Sequence, residues 1–317
     1  MHAVVLGDLG LAVTDCSMPT VGPGEVLVRV IRAGLCETDL QLVRGYMGFR
    51  GILGHEFVGI VESGPLQGQR VVGEINCACG NCETCRLGMP THCPHRSVIG
   101  ILNHDGAFAE FVAVPERNLH VLPESVPTNH AVLVEPLAAA FEILEQVPVH
   151  QKRHVIVLGD GRLGNLCAQV LAQTGCQLTV VGKHPQKLKL LSDRGIATSL
   201  SSEMKSTRQA DIVVDCTGSP SGFESALKLL KPRGTLVLKT TVAGTQQISL
   251  APLVIDEITV VGSRCGPFPP AIQALAEGRI DVDSLIEATY PLKEALTAFE
   301  RARTTPTLKL LFDPVLG

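Results

Sequence analysis

Two short stretches carry residue types that can do metal chemistry together. Leu35-Cys36-Glu37-Thr38-Asp39 is followed by Gly54-His55-Glu56. The Cys36 thiolate and the His55 imidazole can hold one zinc ion if the chain folds back on itself between them. Asp39 is placed to accept a hydrogen bond from the far ring nitrogen of His55, which would fix its tautomer. Glu56 is either a third ligand or a carboxylate standing behind the ligands. Taken singly, such a Cys is more often a small buried hydrophobe, and such a His more often structural. The odds change with the motifs further along the chain.

Cys79-Gly-Asn-Cys82-Glu-Thr-Cys85 is followed by Cys93. Four thiolates at this spacing can close a tetrahedral site with no open position, which suits a structural zinc. An iron–sulfur cluster is the alternative for the same ligands. A metal-free group of crowded thiols would oxidise readily without any packing advantage. Cys77 reads as a bystander, because four ligands suffice. His92 and His95 flank the cluster and rank below the thiols.

A third constellation binds phosphate rather than metal. Gly159-Asp-Gly161-Arg162-Leu163-Gly164 follows the apolar run His154–Leu158 and precedes a helical pattern over 165–173. Strand, G-x-G-x-x-G and helix is the dinucleotide fingerprint in its required context. Its glycines allow the tight turn, the approach of a pyrophosphate and close helix–strand packing. The helix N-terminus attracts the phosphates. The next strand, 177–181, ends at Gly182-Lys183-His184. An NAD site usually carries Asp or Glu there for the ribose 2′-hydroxyl. A missing carboxylate beside a cation favours a 2′-phosphate, hence NADP over NAD.

The elements that must position these groups fall into two styles. Before about Pro123 the β-rich runs are short and closely spaced: 3–6, 26–30, 58–62, 70–73, 109–114 and 119–121. Turn residues such as Pro19, Gly22, Pro23 and Gly24 separate them, so a compact, mostly antiparallel β unit is expected. After Pro123, strands alternate with helices. A helix over 131–145 carries Glu135-Pro136. Strands at 211–216, 235–239 and 257–262 follow, with a helix at 223–230 stopped by Pro232 and Gly234. This alternation predicts an α/β doubly wound parallel sheet. The tail reads as a helix (271–277), a linker, a helix (292–303) and a strand (308–312), too little for a core of its own. The expected organisation is therefore 1–125, 126–266, and a segment 267–317 that packs back on the first domain and the sheet.

Composition narrows the function. The chain has 317 residues, enough for about two domains. With 45% hydrophobic and 18% charged residues it is neither disordered nor a coiled coil. A net charge of −4 with no basic run argues against nucleic acid. No apolar run is long enough for a membrane span, and the first residues lack the pattern of a signal peptide. Eleven cysteines without such a signal point to metal ligands in a reducing compartment, hence the cytoplasm.

Taken together, the motifs resemble the zinc-dependent medium-chain dehydrogenase/reductase family. The resemblance runs in order through Cys-x-Thr-Asp at 36–39, Gly-His-Glu at 54–56, the lobe at 79–93, Glu-Pro at 135–136, the loop at 159–164 and Val-Gly-Ser-Arg at 261–264. It implies a GroES-like β-rich catalytic domain, a Rossmann domain and an active-site cleft between them. It implies two zinc ions per chain and a nicotinamide cofactor. The catalytic zinc would be held by Cys36, His55 and Glu135, with Glu56 able to ligate it transiently. Thr38 would pass the substrate hydroxyl proton toward the cofactor ribose and solvent. Thr217 and Arg264 join Gly159, Gly161, Arg162, Leu163, Gly164, Gly182 and Lys183 as expected cofactor contacts, and Ser263 looks like a segment near the nicotinamide. Glu at 135 looks like the polyol, glucose and threonine dehydrogenase branches.

The implied activity is hydride transfer between an alcohol or polyol, or the matching carbonyl, and NAD(P). Relatives are usually dimers or tetramers, with a strand such as 257–262 at the contact. The alternatives are a zinc-independent reductase, against which Cys36, His55 and Glu135 argue, and a cofactor-binding regulatory or structural protein without turnover. Several positions depart from the family pattern: Gly68-Gln-Arg-Val71, a clipped loop at 63–69, Glu37 after the zinc cysteine, and Lys239-Thr240-Thr241 without its usual glycine. Tyr46, Phe49 and Phe108 are candidates to line the substrate pocket, and they do not identify a substrate.

Overall fold

A computed structural model describes residues 1–204, 207–239 and 247–315. Thr240 and Thr241, two of the departures above, lie outside the described residues. The chain divides into two units, Met1–Glu135 with Ala271–Gly317, and Pro136–Pro270. The composition change near Pro123 lies ahead of that division.

The first unit is built on a seven-stranded sheet. Its long central strand, Glu25–Gly34, alternates buried and half-buried residues over most of its length. It pairs antiparallel with Glu56–Val61 on one side and with both Phe111–Pro115 and Lys309–Asp313 on the other. Arg70–Gly73 and Leu119–Val121 extend the first side, again antiparallel. The segment 278–291, expected as a linker, contains the strand Ile286–Pro291, which pairs parallel with Lys309–Asp313. Its alternation Ile-Glu-Ala-Thr-Tyr is that of a half-buried strand, and pairing at the sheet edge outweighs its polar look. The expected helix over 131–145 is two helices, Thr128–Ala131 and Val134–Gln146.

Phe108 is fully buried and meets the Phe312 ring edge-on at 4.8 Å and the Phe299 ring at 6.2 Å. Phe49 is 5% exposed. Phe108 therefore belongs to the core rather than to a pocket wall, since its contact area goes to other aromatic rings.

The second unit is a six-stranded, wholly parallel sheet. Its strands run in the order Ala197–Leu200, Gln177–Gly182, His154–Leu158, Ala210–Asp215, Leu230–Leu238 and Thr259–Gly262. Continuous apolar runs suit strands covered on both faces, and Val155, Ile156 and Val157 have no exposure at all. Two elements not expected from the pattern complete the sheet's edge, the helix Pro185–Ser192 and the strand Ala197–Leu200. Pro232 and Gly234 do not stop a helix ahead of a strand. They lie inside the strand Leu230–Leu238, beside a register shift between Ala210 and Ile212. An irregular stretch needs fewer ladder donors, so proline is tolerated there.

Candidate functional site

The first unit brings Cys36, His55 and Glu56 together: one donor atom from each lies within 4.8 Å of the others. Local structure places each of them. Cys36 caps the helix Glu37–Val43 in a reciprocal capping arrangement with Asp39. The Cys36 amide donates to Asp39 Oδ2 at 2.8 Å. The other Asp39 oxygen, Oδ1, stands 3.3 Å from His55 Nδ1, with both side chains buried. One carboxylate thus ties the backbone of the thiol ligand to the ring of the imidazole. Thr38 is half-buried, with its hydroxyl 3.8 Å from Cys36 Sγ.

Burial disfavours a charge on His55, but Asp39 and then Cys36 outweigh it and hold its pKa well above the usual imidazole range. A metal taking the other ring nitrogen must displace the proton there, so metal uptake here is coupled to proton release.

Glu56 is fully buried at the start of its strand. Its Oε2 pairs with Lys309 Nζ, which also donates to the Leu35 carbonyl at 3.3 Å. Its Oε1 is buried without a hydrogen-bond partner. Such an oxygen is costly unless a cation or donor meets it, and the Cys/His/Glu donor set suits zinc. Glu135 is half-buried in the first turn of the helix Val134–Gln146, within the same unit. The preceding helix, Thr128–Ala131, packs on the strands Glu25–Gly34 and Glu56–Val61. Among the described residues, the set converging within 4.8 Å comprises Cys36, His55 and Glu56, without Glu135.

Lys309 was missed by sequence reasoning. It lies 253 residues from Glu56 along the chain. Its signal was a single Lys within the apolar run Leu308-Lys309-Leu310-Leu311-Phe312.

Cys79, Cys82, Cys85 and Cys93 form a second group. Their sulfurs are 3.5 Å (82–85), 3.6 Å (79–93), 3.7 Å (82–93) and 4.0 Å (79–85) apart. Zn–S bonds of about 2.3 Å in a tetrahedron set the sulfur–sulfur edge near about 3.8 Å. The four-sulfur set therefore fits a structural zinc ion. Backbone N–H groups of Cys79 and His95 point at Cys93 Sγ at 3.5 and 3.4 Å. The Asn81 N–H is the largest influence drawing the Cys79 thiol down to about 6, and the Cys79 N–H the largest lowering Cys93. Cys77 stands outside the group, with burial pushing its thiol up to about 12. His92 and His95 are outside it as well.

In the second unit the glycine loop takes the shape its sequence requires. Gly159 has φ +112°, and a Cβ there would lie 2.5 Å from the Cys216 carbonyl oxygen. A Cβ on Gly164 would lie 2.1 Å from the Gly159 oxygen, so helix and strand touch backbone to backbone. Gly161 caps the helix Arg162–Ala172 and faces open space. These are the three roles of a pyrophosphate-binding turn.

The loop borders a cavity of about 430 Å³ at the carboxyl ends of the strands. Gly159, Gly161, Gly182, Lys183 and Thr217 line it, whereas Arg162, Leu163, Gly164 and Arg264 are not among its lining residues. Thr217 is fixed by Asp215 Oδ1, which accepts from its amide at 2.9 Å and its hydroxyl at 2.7 Å. Lys239, at the strand end that lacks its usual glycine, donates from Nζ to the Ser263 hydroxyl at 3.0 Å and the Arg264 carbonyl at 3.1 Å. His184, one of the two potentially positive neighbours of Gly182, also borders the cavity, as does Asp160, which was not singled out from the sequence.

Residues 22–124 match the alcohol dehydrogenase GroES-like domain, and residues 163–277 match the zinc-binding dehydrogenase domain. The chain is 30% identical to D-altritol 5-dehydrogenase of Agrobacterium fabrum, over 98% of this chain and 99% of that one. It is 29% identical to sorbitol dehydrogenase of Halalkalibacterium halodurans, over 96% of each. A crystal structure from Sinorhizobium meliloti, described as a zinc-binding dehydrogenase bound to NADP, superposes with a TM-score of 0.89 at 28% identity, covering 99% of both chains. The two metal-ligand clusters, the phosphate-binding turn on a parallel sheet and these full-length similarities together place the chain in the zinc-dependent medium-chain dehydrogenase/reductase family.

Proposed function

We propose that this protein is a zinc-dependent dehydrogenase that moves hydride between an alcohol or polyol, or the matching carbonyl, and NADP in preference to NAD. The observation that carries the reading is the convergence of half-buried Cys36 with buried His55 and Glu56, with Glu56 Oε1 lacking a partner. Two full-length relatives bear the names of polyol dehydrogenases.

In this reading Cys36 and His55 hold the catalytic ion, with Glu135 as third ligand and Glu56 as the carboxylate that can exchange with it. When bound, zinc supplies Lewis acidity toward the substrate oxygen, and the nicotinamide accepts or donates the hydride. Asp39 keeps the His55 ring and the Cys36 backbone in register. Thr38 accepts the proton of the substrate hydroxyl at its Oγ1 and hands it on toward solvent. The turn at 159–164 presents N–H groups to the cofactor pyrophosphate. Lys183, with no acid at position 182, favours a 2′-phosphate over a bare ribose. Arg264 is assigned to the cofactor phosphate or the substrate; unchanged kinetics and cofactor affinity in Arg264→Ala would remove that assignment.

The protein is further proposed to be a cytoplasmic homo-oligomer. No disulfide joins cysteines among the described residues, which suits a reducing compartment. No described helix is long and apolar enough to cross a membrane. Thr259–Gly262 is the last strand of its sheet, and Thr259, Val260 and Gly262 are exposed.

The test is absorbance at 340 nm with NAD and with NADP over polyols, sugars, simple alcohols and amino alcohols, with zinc measured on the same sample. Turnover with NADP and two zinc ions per chain is the expected result. Turnover with NAD alone would remove the cofactor preference and leave the reaction class. Cofactor and both zincs bound, with no turnover on any substrate, would favour a regulatory relative instead.

A further inference from the structure

The strand-end position that carries the ribose-binding acid of an NAD site is Gly182 here, yet a carboxylate does occupy the neighbouring space. It comes from Asp160, between the first two glycines of the turn. A Cβ on Gly182 would lie 2.3 Å from Asp160 Oδ2 and 2.5 Å from Asp160 Cβ. No side chain fits at 182 while Asp160 stands where it does.

Asp160 is 6% exposed, and its hydrogen bonds run away from any ribose. Oδ2 accepts from the His184 amide at 2.6 Å, and Oδ1 stands 2.9 Å from His184 Nδ1. The Lys183 amide donates to it as well. A carboxylate has about four lone-pair sites, so three donors leave little for a ribose hydroxyl. Burial works against ionisation, but the His184 bonds outweigh it and hold Asp160 below the usual carboxylate range.

The same bonds fix the His184 ring, whose side chain is 38% exposed, at the border of the cavity. Lys183, Lys187 and Lys228 line that cavity too, and Asp160 is the one acid among its described lining residues. Ser201, Ser221 and Ser225 add hydroxyl donors.

We propose that Asp160, Gly182 and His184 form one specificity element: Asp160 fills the space of the strand-end acid, is consumed in positioning His184, and so adapts the cavity to an adenosine bearing a 2′-phosphate. Asp160 is the positioning residue, and His184 is the group that meets the phosphate. The inference deepens the cofactor reading above and rests on the cavity being the adenosine site.

The experiment is calorimetric binding of 2′,5′-ADP and of 5′-AMP to the zinc-loaded full chain, which reads affinity without chemistry. The wild type is expected to bind 2′,5′-ADP at least about ten-fold more tightly, the scale of one charge-assisted contact. His184→Ala is expected to cut that ratio about ten-fold, because an imidazole donor to the 2′-phosphate is lost and Asp160 is uncovered. Gly182→Asp alone is expected to weaken both ligands, since the new side chain meets Asp160. Combining it with Asp160→Ala restores the space, and the double variant is expected to prefer 5′-AMP.

Selectivity that survives His184→Ala in a 2′,5′-ADP-selective wild type would overturn this inference and leave the NADP reading intact. So would Gly182→Asp alone inverting the preference as fully as the double variant. A wild type that does not discriminate between the ligands would overturn both readings. Far-ultraviolet circular dichroism checks folding; if Gly182→Asp is unfolded, the His184→Ala ratio decides.

Discussion

Lys309 and Glu56 meet where neither has any exposure to solvent. Breaking such a pair strands a charge, at about 3–5 kcal/mol, whereas replacing both members with apolar residues is often neutral. Lys309→Met is therefore expected to lower the free energy of unfolding, read by urea titration, by that scale, and Lys309→Met with Glu56→Met to recover most of it. Additive losses in the double variant would show that the two do not act as a pair. The cysteine lobe allows a second test at single residues. In chelator-treated protein at pH 7, Cys79, drawn down to about 6 chiefly by the Asn81 N–H, is mostly thiolate. Cys85 is pushed up to about 12 by burial and then by its neighbour Cys82, so it stays a thiol. Thiolate is the reactive form. Iodoacetamide should label Cys79 well ahead of Cys85, with the order read by peptide mass spectrometry. Zinc-loaded protein should resist labelling at all four positions.

Elements differ in what a single methyl group does to them. The helix Arg162–Ala172 touches the preceding strand at Gly164, where a Cβ would sit 2.1 Å from the Gly159 oxygen. Gly164→Ala is expected to cost about 1–3 kcal/mol through overpacking. Gly161, at the cap of the same helix, meets nothing within 4 Å. Gly161→Ala should leave the melting temperature nearly unchanged and weaken NADP binding, because the added methyl stands where the pyrophosphate must approach. Equal stability losses in the two variants would contradict this assignment of roles. The pairing of loop and helix was legible in the sequence because the glycine spacing and the flanking apolar runs are local. The strand Ile286–Pro291 was not, because only its neighbour Lys309–Asp313 gives it a ladder.

At the scale of the molecule, the exposed edge of the parallel sheet carries a prediction about assembly. Leu250, Val254 and Ile255 are 59%, 76% and 77% exposed, close in sequence to the edge strand Thr259–Gly262, whose Val260 is 38% exposed. A bare edge strand with apolar neighbours favours pairing with another copy. Val260→Lys is expected to shift the solution mass toward the monomer in light scattering. A wild-type chain that is already monomeric would end the proposal. Metal removal acts through the first unit, where both ligand clusters lie. Structural zinc contributes folding energy directly, so Cys82→Ser should lose one zinc per chain and lower the melting temperature.

Sequence alone was enough for the four-cysteine group, the approach of Cys36 to His55 and Glu56, the glycine turn, the parallel sheet and the family, whereas Glu135 does not join the first group. Each rests on spacing within a few residues, or on motifs whose order along the chain is enough. Which charges meet was settled by the tertiary fold. Lys309 reaches Glu56 because the strand Lys309–Asp313 pairs with Glu25–Gly34, which in turn pairs with Glu56–Val61. Phe108 went to the core because Phe299 and Phe312 surround it. Asp160 drew no reading of its own within the glycine motif, and the strand end at Gly182 read as a missing acid. Parallel pairing of His154–Leu158 with Gln177–Gly182 sets those two positions side by side, so one residue's carboxylate occupies the space of the other's side chain. A linear reading holds no such distance.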